Sequence, residues 1–245
     1  MFRLSPGAEA PKDWRTAERR NQRREVMATH SDTGCFCSIN ALGPLISGYR
    51  RFRETEWIEE QERFRLAAAN GQRPHSLVIA CSDSRVDPQM IFGARPGELF
   101  VIRNVASLVP PYELDQAHHG TSAAIEFAVR LLEVERVIVL GHEACGGIGM
   151  LLDEPSASQL DFATRWMALA RAAASGPIAT GTAEQKRRAC EEAVVRLSLD
   201  NLLTFPWIAA AVDQKRLSLH GGYFDIGQGR LLVMGEDGEF APVAL

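Results

Sequence analysis

The sequence predicts an α/β protein with a central, mostly parallel β-sheet flanked by helices. Three short apolar runs rich in β-branched residues, at 75–81, 99–103 and 136–140, have the length and composition of buried strands. Helical patterns precede and separate these runs, and strands that alternate with helices form parallel sheets. The chain has 245 residues, 46% hydrophobic and 24% charged, the proportions of a folded globular protein.

The helices are predicted from apolar residues that recur at a spacing of three or four. A C-terminal hairpin is predicted because two strand-like runs flank the turn sequence Gly227-Gln228-Gly229. The predicted helical segments are 43–70, as two helices or one bent helix that forms an N-terminal arm, then 121–132, 160–174 and 183–203, and the hairpin runs are 217–226 and 230–234.

The chain is expected to divide into a basic tail and one domain. Basic residues outnumber acidic ones within residues 1–26, which contain few large apolar residues. We therefore predict a flexible tail over 1–42 and a single domain over 43–245. The tail is compatible with a misassigned start, an expression extension or an arm that wraps a neighbouring subunit.

Overall charge and cysteine usage restrict the class of protein. A formal net charge of −4 does not favour nucleic acid as a partner. No apolar run reaches the roughly 20 residues that span a bilayer, so no membrane partner is expected. Five cysteines, an odd number, are typical of a reducing compartment, and we expect a cytoplasmic protein with thiolates available to a metal.

Three residues at strand ends have the side chains of a zinc site. Cys81 closes the first predicted strand, while His142 and Cys145 follow the third. The carboxyl ends of parallel strands meet at one edge of a sheet, where ligands bind. Two thiolates and one imidazole suit Zn²⁺ and leave its fourth tetrahedral position open, which is typical of catalysis.

A carboxylate and a guanidinium lie next to the first thiol. If the extended backbone continues past Cys81, Asp83 and Arg85 face the same way as the cysteine. Asp83 would then accept a hydrogen bond from a zinc-bound water or hydroxide, while Arg85 keeps that carboxylate ionised and oriented. The alternative is an ion pair that only caps the loop after the strand.

These motifs together resemble the β-class carbonic anhydrases, and the segments Leu108-Val109-Pro110-Pro111-Tyr112 and Gly71-Gln72 resemble the plant-type branch of that class. The resemblance covers roughly residues 43 to 235. It rests on Ala80-Cys81-Ser82-Asp83-Ser84-Arg85-Val86, Val101-Ile102-Arg103-Asn104-Val105-Ala106, Ala124-Ile125-Glu126-Phe127-Ala128-Val129, and Val139-Leu140-Gly141-His142 with Cys145-Gly146-Gly147-Ile148.

The resemblance implies a zinc enzyme whose site is built between two subunits. Its zinc ligands are Cys81, His142 and Cys145, one ion per subunit, with Asp83 and Arg85 as the catalytic pair. The substrate pocket is implied to include Gln72, Phe100, Val105 and Phe127. Phe127 stands where the plant-type enzymes commonly have tyrosine, so this pocket lacks a phenolic hydroxyl.

The expected function is the reversible hydration of carbon dioxide to bicarbonate and a proton, by attack of a zinc-bound hydroxide on CO₂. Self-association into a dimer or tetramer is expected with it. Two alternatives remain open: a hydrolase of carbon disulfide or carbonyl sulfide on the same fold, and a non-catalytic zinc-binding interaction module with a closed coordination shell.

Overall fold

The structure is a computed structural model that describes residues 42–115, 117–152, 160–174 and 181–244. All of the predicted tail except Leu42 lies outside the described residues. The helices are α1 Gly43–Glu54, α2 Glu56–Asn70, α3 Pro88–Ile91, α4 Gly120–Glu126, α5 Gly146–Leu152, α6 Ala163–Met167, α7 Arg171–Ala174, α8 Ala183–Leu203 and α9 Pro206–Asp213. The strands are β1 Ser76–Cys81, β2 Leu99–Asn104, β3 Arg136–His142, β4 Ser218–Asp225, β5 Arg230–Met234 and β6 Phe240–Pro242.

The chain divides into two compact units, residues 1–59 and 60–245. The described part of the first unit holds α1 and the start of α2. Pro44 lies in the first turn of α1, where a proline favours helix initiation. The predicted helical arm over 43–70 is therefore confirmed as two helices, while the domain boundary at residue 43 stays a prediction.

Six strands of the described residues form one sheet in the order β2-β1-β3-β4-β5-β6. β1 pairs in parallel with β2 and β3, and β3 pairs in parallel with β4. β5 then pairs antiparallel with β4 on one side and with β6 on the other. This arrangement confirms the predicted mostly parallel sheet and C-terminal hairpin, and it adds β6, a strand too short to be recognised from the sequence.

The core covers both faces of β1, which explains why that run is apolar at successive positions. Leu77 and Ile79 pack on one side with residues of α8 and α9, among them Leu202. Val78 packs on the other side in a smaller cluster with Leu140. Among the described residues, no helix is both long and apolar enough to span a membrane.

The predicted helix over 121–132 contains a change of helical type. After α4, residues Phe127–Leu131 form a π-helical turn, in which the N–H of Leu132 donates to the carbonyl oxygen of Phe127 at 3.0 Å. Such turns are frequent at functional sites because they alter where side chains project from a helix.

Gly141 of β3 allows α8 to approach the sheet closely. A Cβ atom at this position would lie 2.6 Å from Cγ2 of Val195. We expect Gly141→Ala to lower the free energy of unfolding by about 1–3 kcal/mol through overpacking. Chemical denaturation measures the loss, and Val195→Ala added to Gly141→Ala should recover part of it. Equal stability of the Gly141→Ala variant and the parent chain would contradict this packing argument.

Candidate metal centre

The structure brings Cys81, His142 and Cys145 together at the carboxyl edge of the sheet. Cys81 is the last residue of β1, His142 is the last residue of the neighbouring β3, and Cys145 precedes α5. Their ligand atoms all lie within 4.8 Å of one another, and all three residues are buried. The predicted juxtaposition at the strand ends is thus present in the fold.

The hydrogen bonds of His142 define which ring nitrogen faces the sulfurs. Its Nδ1 lies 2.8 Å from the carbonyl oxygen of Glu143, which can only accept, so Nδ1 carries a proton. Its Nε2 is buried without a hydrogen-bond partner. A buried nitrogen lone pair without a partner, directed at two thiols, fits the donor set of a zinc site.

The pKa shifts of the two cysteines also fit a metal site. The contact with the Cys145 thiol, aided by the backbone N–H groups of Asp83 and Ala106, lowers the pKa of Cys81 against the effect of burial. The same contact with Cys81, together with burial, raises the pKa of Cys145. Two buried thiols this close cannot both ionise without a cation, and a divalent metal would displace their protons.

An unusual turn after β2 supplies one of these N–H groups. Ala106 and Ser107 have φ of 65° and 55°, in the left-handed region that non-glycine residues rarely adopt. The hydroxyl of Ser107 donates to the carbonyl oxygen of Leu140 at 2.7 Å, and the hydroxyl of Ser198 accepts from the N–H of Val109 at 3.2 Å. The strained turn is therefore tied to β3 and α8, with its Ala106 N–H held at the Cys81 sulfur.

Asp83 and Arg85 form a bidentate pair beside the cluster. Nε of Arg85 donates to Oδ1 of Asp83 at 2.9 Å, and Nη2 donates to Oδ2 at 2.7 Å. The guanidinium holds the pKa of the Asp83 carboxyl well below its usual range. The carboxylate therefore stays ionised with both oxygens engaged.

The prediction that an extended backbone makes Asp83 and Arg85 face the same way as Cys81 was wrong. The chain leaves the extended conformation after Cys81 and turns at Ser84 and Arg85. The N–H of Arg85 donates to Oδ1 of Asp83 at 2.9 Å, so the aspartate stabilises the turn that carries its own partner. The two side chains meet because the chain folds back, and not because alternate residues of a strand share a face.

Sequence reasoning gave no role to Arg103, which holds the loop after β1. Its guanidinium donates to the carbonyl oxygens of Cys81 at 3.0 Å and Asp83 at 2.6 Å, and to the Asp87 carboxylate at 3.0 Å. A charged side chain in a strand that is otherwise apolar was the available signal. Arg103 fixes the backbone from which a candidate ligand and the carboxylate both project.

The four predicted pocket residues are divided between two ends of the sheet. Val105 follows β2 at the carboxyl edge, where its Cγ1 packs so close to Gly147 of α5 that a Cβ there would lie 2.7 Å away. Phe100 pairs with Leu77, four residues or about 13 Å before the end of β1. Phe127 stacks on Phe100 with ring centroids 5.9 Å apart, and Gln72 precedes β1. Within one chain, only Val105 lies beside the metal cluster.

A family model described as carbonic anhydrase matches residues 76–231. The chain belongs to the carbonic anhydrase family. The matched region contains the three candidate metal ligands and the Asp83–Arg85 pair. The prediction of an enzyme family drawn from the motifs is thereby confirmed.

Known relatives assign the chain to the β class of carbonic anhydrases. It is 39% identical over 178 residues to beta carbonic anhydrase 5, chloroplastic, of Arabidopsis thaliana, a match that covers 71% of this chain and 58% of the plant protein. The β-carbonic anhydrase CcaA has a similar structure, with a TM-score of 0.77, 32% identity and coverage of 84% of this chain and 93% of CcaA. A tetrameric β-carbonic anhydrase of Sordaria macrospora has a TM-score of 0.71 and 28% identity over 84% of this chain and all of that chain.

Proposed function

We propose that this chain catalyses the reversible hydration of carbon dioxide to bicarbonate and a proton. The observation that carries the proposal is a buried imidazole nitrogen without a partner, grouped with two thiols and flanked by an arginine-held carboxylate. One zinc ion per chain, held by Cys81, His142 and Cys145, would lower the pKa of a coordinated water and so supply hydroxide near neutral pH.

Asp83 orients the nucleophile in this proposal. An ionised carboxylate accepts hydrogen bonds and donates none, so it would accept a hydrogen bond from the attacking hydroxide and so direct an oxygen lone pair at carbon. Arg85 keeps Asp83 ionised. Because Arg85 donates to both carboxylate oxygens, it holds Asp83 back from closing the metal site as a further ligand, while Oδ2, which accepts from Nη2, keeps a second lone pair for the hydroxide.

Arg85 also has an anchor outside the loop that carries it. Its Nη2 donates to the carbonyl oxygen of Ala144 at 3.2 Å, so the guanidinium bridges the loop after β1 and the segment after β3. This second anchor restricts the rotamers of Arg85 and fixes the direction of the Asp83 carboxylate. The pair is therefore preorganised before any substrate enters.

Carbon dioxide needs an apolar pocket, and we propose that two copies of the chain form it. Val105 comes from the chain that holds the metal, while Gln72, Phe100 and Phe127 come from its neighbour. Phe127 is 44% exposed although it is a large apolar residue, which supports a covering partner. Among the described strands, β2 pairs on one side only, and a free sheet edge is a surface at which a second copy can associate.

A mixing experiment tests this composite pocket. We expect Gln72→Ala to lower kcat/KM about tenfold through loss of a polar contact to substrate, and Cys81→Ser to abolish activity. Hybrids of the two variants would contain one complete site, with the metal from one chain and Gln72 from the other, so hydration activity should rise on mixing. If Gln72 served the metal centre of its own chain, the activity of the mixture would stay at the average of its two parents.

Assembly into a dimer or a tetramer belongs to the same proposal. The Sordaria macrospora enzymes are described as tetrameric, and the exposed apolar side chains of the helical arm, Leu45, Tyr49 and Ile58, support a further contact between copies.

We also propose a cytoplasmic location for the protein. Cys81, Cys145 and Cys190 are not joined in disulfides, as expected in a reducing compartment.

The decisive experiment combines metal analysis with a hydration assay. Purified protein equilibrated with zinc should contain one ion per chain and accelerate CO₂ hydration in stopped flow with a pH indicator. Parallel assays of sulfide release from carbon disulfide and carbonyl sulfide distinguish the alternative substrates. Full zinc occupancy with no turnover of any of the three molecules would reject the proposal and favour a non-catalytic zinc module.

A further inference from the structure

One peptide bond at the metal centre is held from both sides. The carbonyl oxygen of Ala144 accepts from Nη2 of Arg85 at 3.2 Å, and the N–H of Cys145 donates to Oε1 of Glu191 at 2.9 Å. Ala144 has φ of 55°, a left-handed conformation that is costly for a residue with a Cβ atom. The two hydrogen bonds compensate for this strain and fix the plane of the peptide from which Cys145 projects.

Glu191 is a buried carboxyl group, although glutamate is rarely buried in proteins. It lies on α8 with only 4% of its surface exposed, and its second oxygen, Oε2, accepts from the hydroxyl of Tyr223 at 2.8 Å. Tyr223 is fully buried on β4. Both carboxylate oxygens are therefore committed, one to the backbone of a candidate metal ligand and the other to the sheet.

Burial of the Glu191 carboxyl group costs free energy of folding. Burial raises its pKa, although the N–H of Cys145 and the hydroxyl of Tyr223 partly oppose the shift. An apolar side chain on this helix face would avoid that desolvation cost, but it would leave the N–H of Cys145 and the hydroxyl of Tyr223 buried without a partner. A carboxyl group retained at such a cost, in contact with a ligand residue, indicates a role in the site and not only in packing.

The neighbouring glutamate provides the contrast. Glu192 also lies on α8 and is largely covered, but its carboxylate pairs with Arg188 at 3.0 Å and Arg196 at 3.7 Å on the same helix. These are pairs one helical turn apart, of the kind that stabilise a helix by a few tenths of a kcal/mol. Glu192 has no hydrogen bond to the metal centre among the described residues, which makes it a matched control.

We propose that Glu191 is a positioning residue of the metal centre, which acts through the Ala144–Cys145 peptide on both the Cys145 sulfur and the Arg85 side chain. With the N–H of that peptide fixed by Glu191, its carbonyl oxygen presents a fixed acceptor to Arg85, and Arg85 in turn orients Asp83. The metal ligand and the catalytic pair are thus set by one buried carboxyl group. This inference rests on the proposed function and adds a residue that controls the geometry of that site.

The test compares Glu191→Ala, Glu191→Gln and the control Glu192→Gln. Zinc affinity is measured by competition with a chromophoric chelator, and the geometry of the metal site by the thiolate-to-cobalt absorption bands of the Co²⁺-substituted protein. The third measurement is kcat/KM for CO₂ hydration. Loss of a group that orients a metal ligand typically weakens metal binding 10–100-fold. We expect a loss of that size and altered cobalt bands for Glu191→Ala. Glu191→Gln, which keeps an acceptor for the Cys145 N–H, should stay within about fivefold of the parent chain, and Glu192→Gln should match the parent in all three.

The readouts separate this inference from the proposed function. Unchanged zinc affinity and cobalt bands in Glu191→Ala, with only a lower melting temperature, would overturn the positioning role. Weakened zinc binding in that variant, with a parent chain that does not hydrate CO₂, would support the positioning role and reject the function. If Glu191→Ala fails to fold, Glu191→Asp replaces it: the charge remains but the carboxylate is retracted by one methylene group, and the same weakening of zinc binding is expected.

Discussion

Replacing Cys81 by serine is expected to weaken zinc binding about 10²-fold, so that dialysis against a chelator removes the metal, and to abolish carbon dioxide hydration. A serine hydroxyl does not ionise at neutral pH and is a poor zinc ligand compared with a thiolate. If the total free energy of zinc binding is about 10–16 kcal/mol over four ligands, one lost thiolate costs about 3 kcal/mol, a reduction in affinity of about 10²-fold. Atomic absorption on dialysed protein measures the zinc, and stopped-flow hydration measures the activity.

Cys190→Ser is the matched control for this variant. Cys190 is buried on α8 in the same apolar cluster as Cys81 and Cys145, and burial raises its pKa to about 11. It should behave as a packing residue, so its replacement is expected to reduce thermal stability while zinc content and activity persist. One zinc ion per chain in purified Cys81→Ser protein, with hydration intact, would exclude Cys81 as a ligand.

The metal cluster was predictable from the sequence because two of its three members are the last residues of strands. Cys81 closes β1 and His142 closes β3, and two adjacent parallel strands necessarily bring their carboxyl ends together. The length and β-branched composition of these runs were sufficient to locate them. That β1 and β3 are neighbours in the sheet was not predicted and is known only from their parallel pairing in the structure.

Side-chain contacts over long sequence separations were not predictable in this way. Glu191 and Cys145 are 46 residues apart, and Arg103 and Cys81 are 22 apart, so each contact depends on how α8 and β2 pack in the finished fold. The turn at Ser84 and Arg85 was missed for a different reason. The Asp83 side chain stabilises a turn in place of an extended backbone. The alternation of residues along a strand does not predict such a turn.

Asp83→Asn is expected to separate catalysis from metal binding. Asparagine has nearly the same shape, but it carries no charge, and its amide group places hydrogen-bond donors where the carboxylate presented only acceptors. The nucleophile would lose its oriented acceptor, while Cys81, His142 and Cys145 are unchanged. We therefore expect kcat/KM to fall by about 10²-fold with one zinc ion per chain retained, as measured by stopped flow and atomic absorption on the same preparation.

Asp87→Asn tests whether such a loss belongs to the position of Asp83 and not to any carboxylate in this loop. Asp87 accepts from Arg103 at 3.0 Å and caps α3 by accepting from the N–H groups of Gln89 and Met90. Asparagine is equally good at the start of a helix, and Arg103 would keep its hydrogen bonds to the carbonyl oxygens of Cys81 and Asp83, so this variant should keep most of its activity. If instead both variants hydrated CO₂ at the parent rate with zinc bound, the arginine-held carboxylate would be only a structural element of the turn, and the orientation of the nucleophile would have to come from another group at the metal centre.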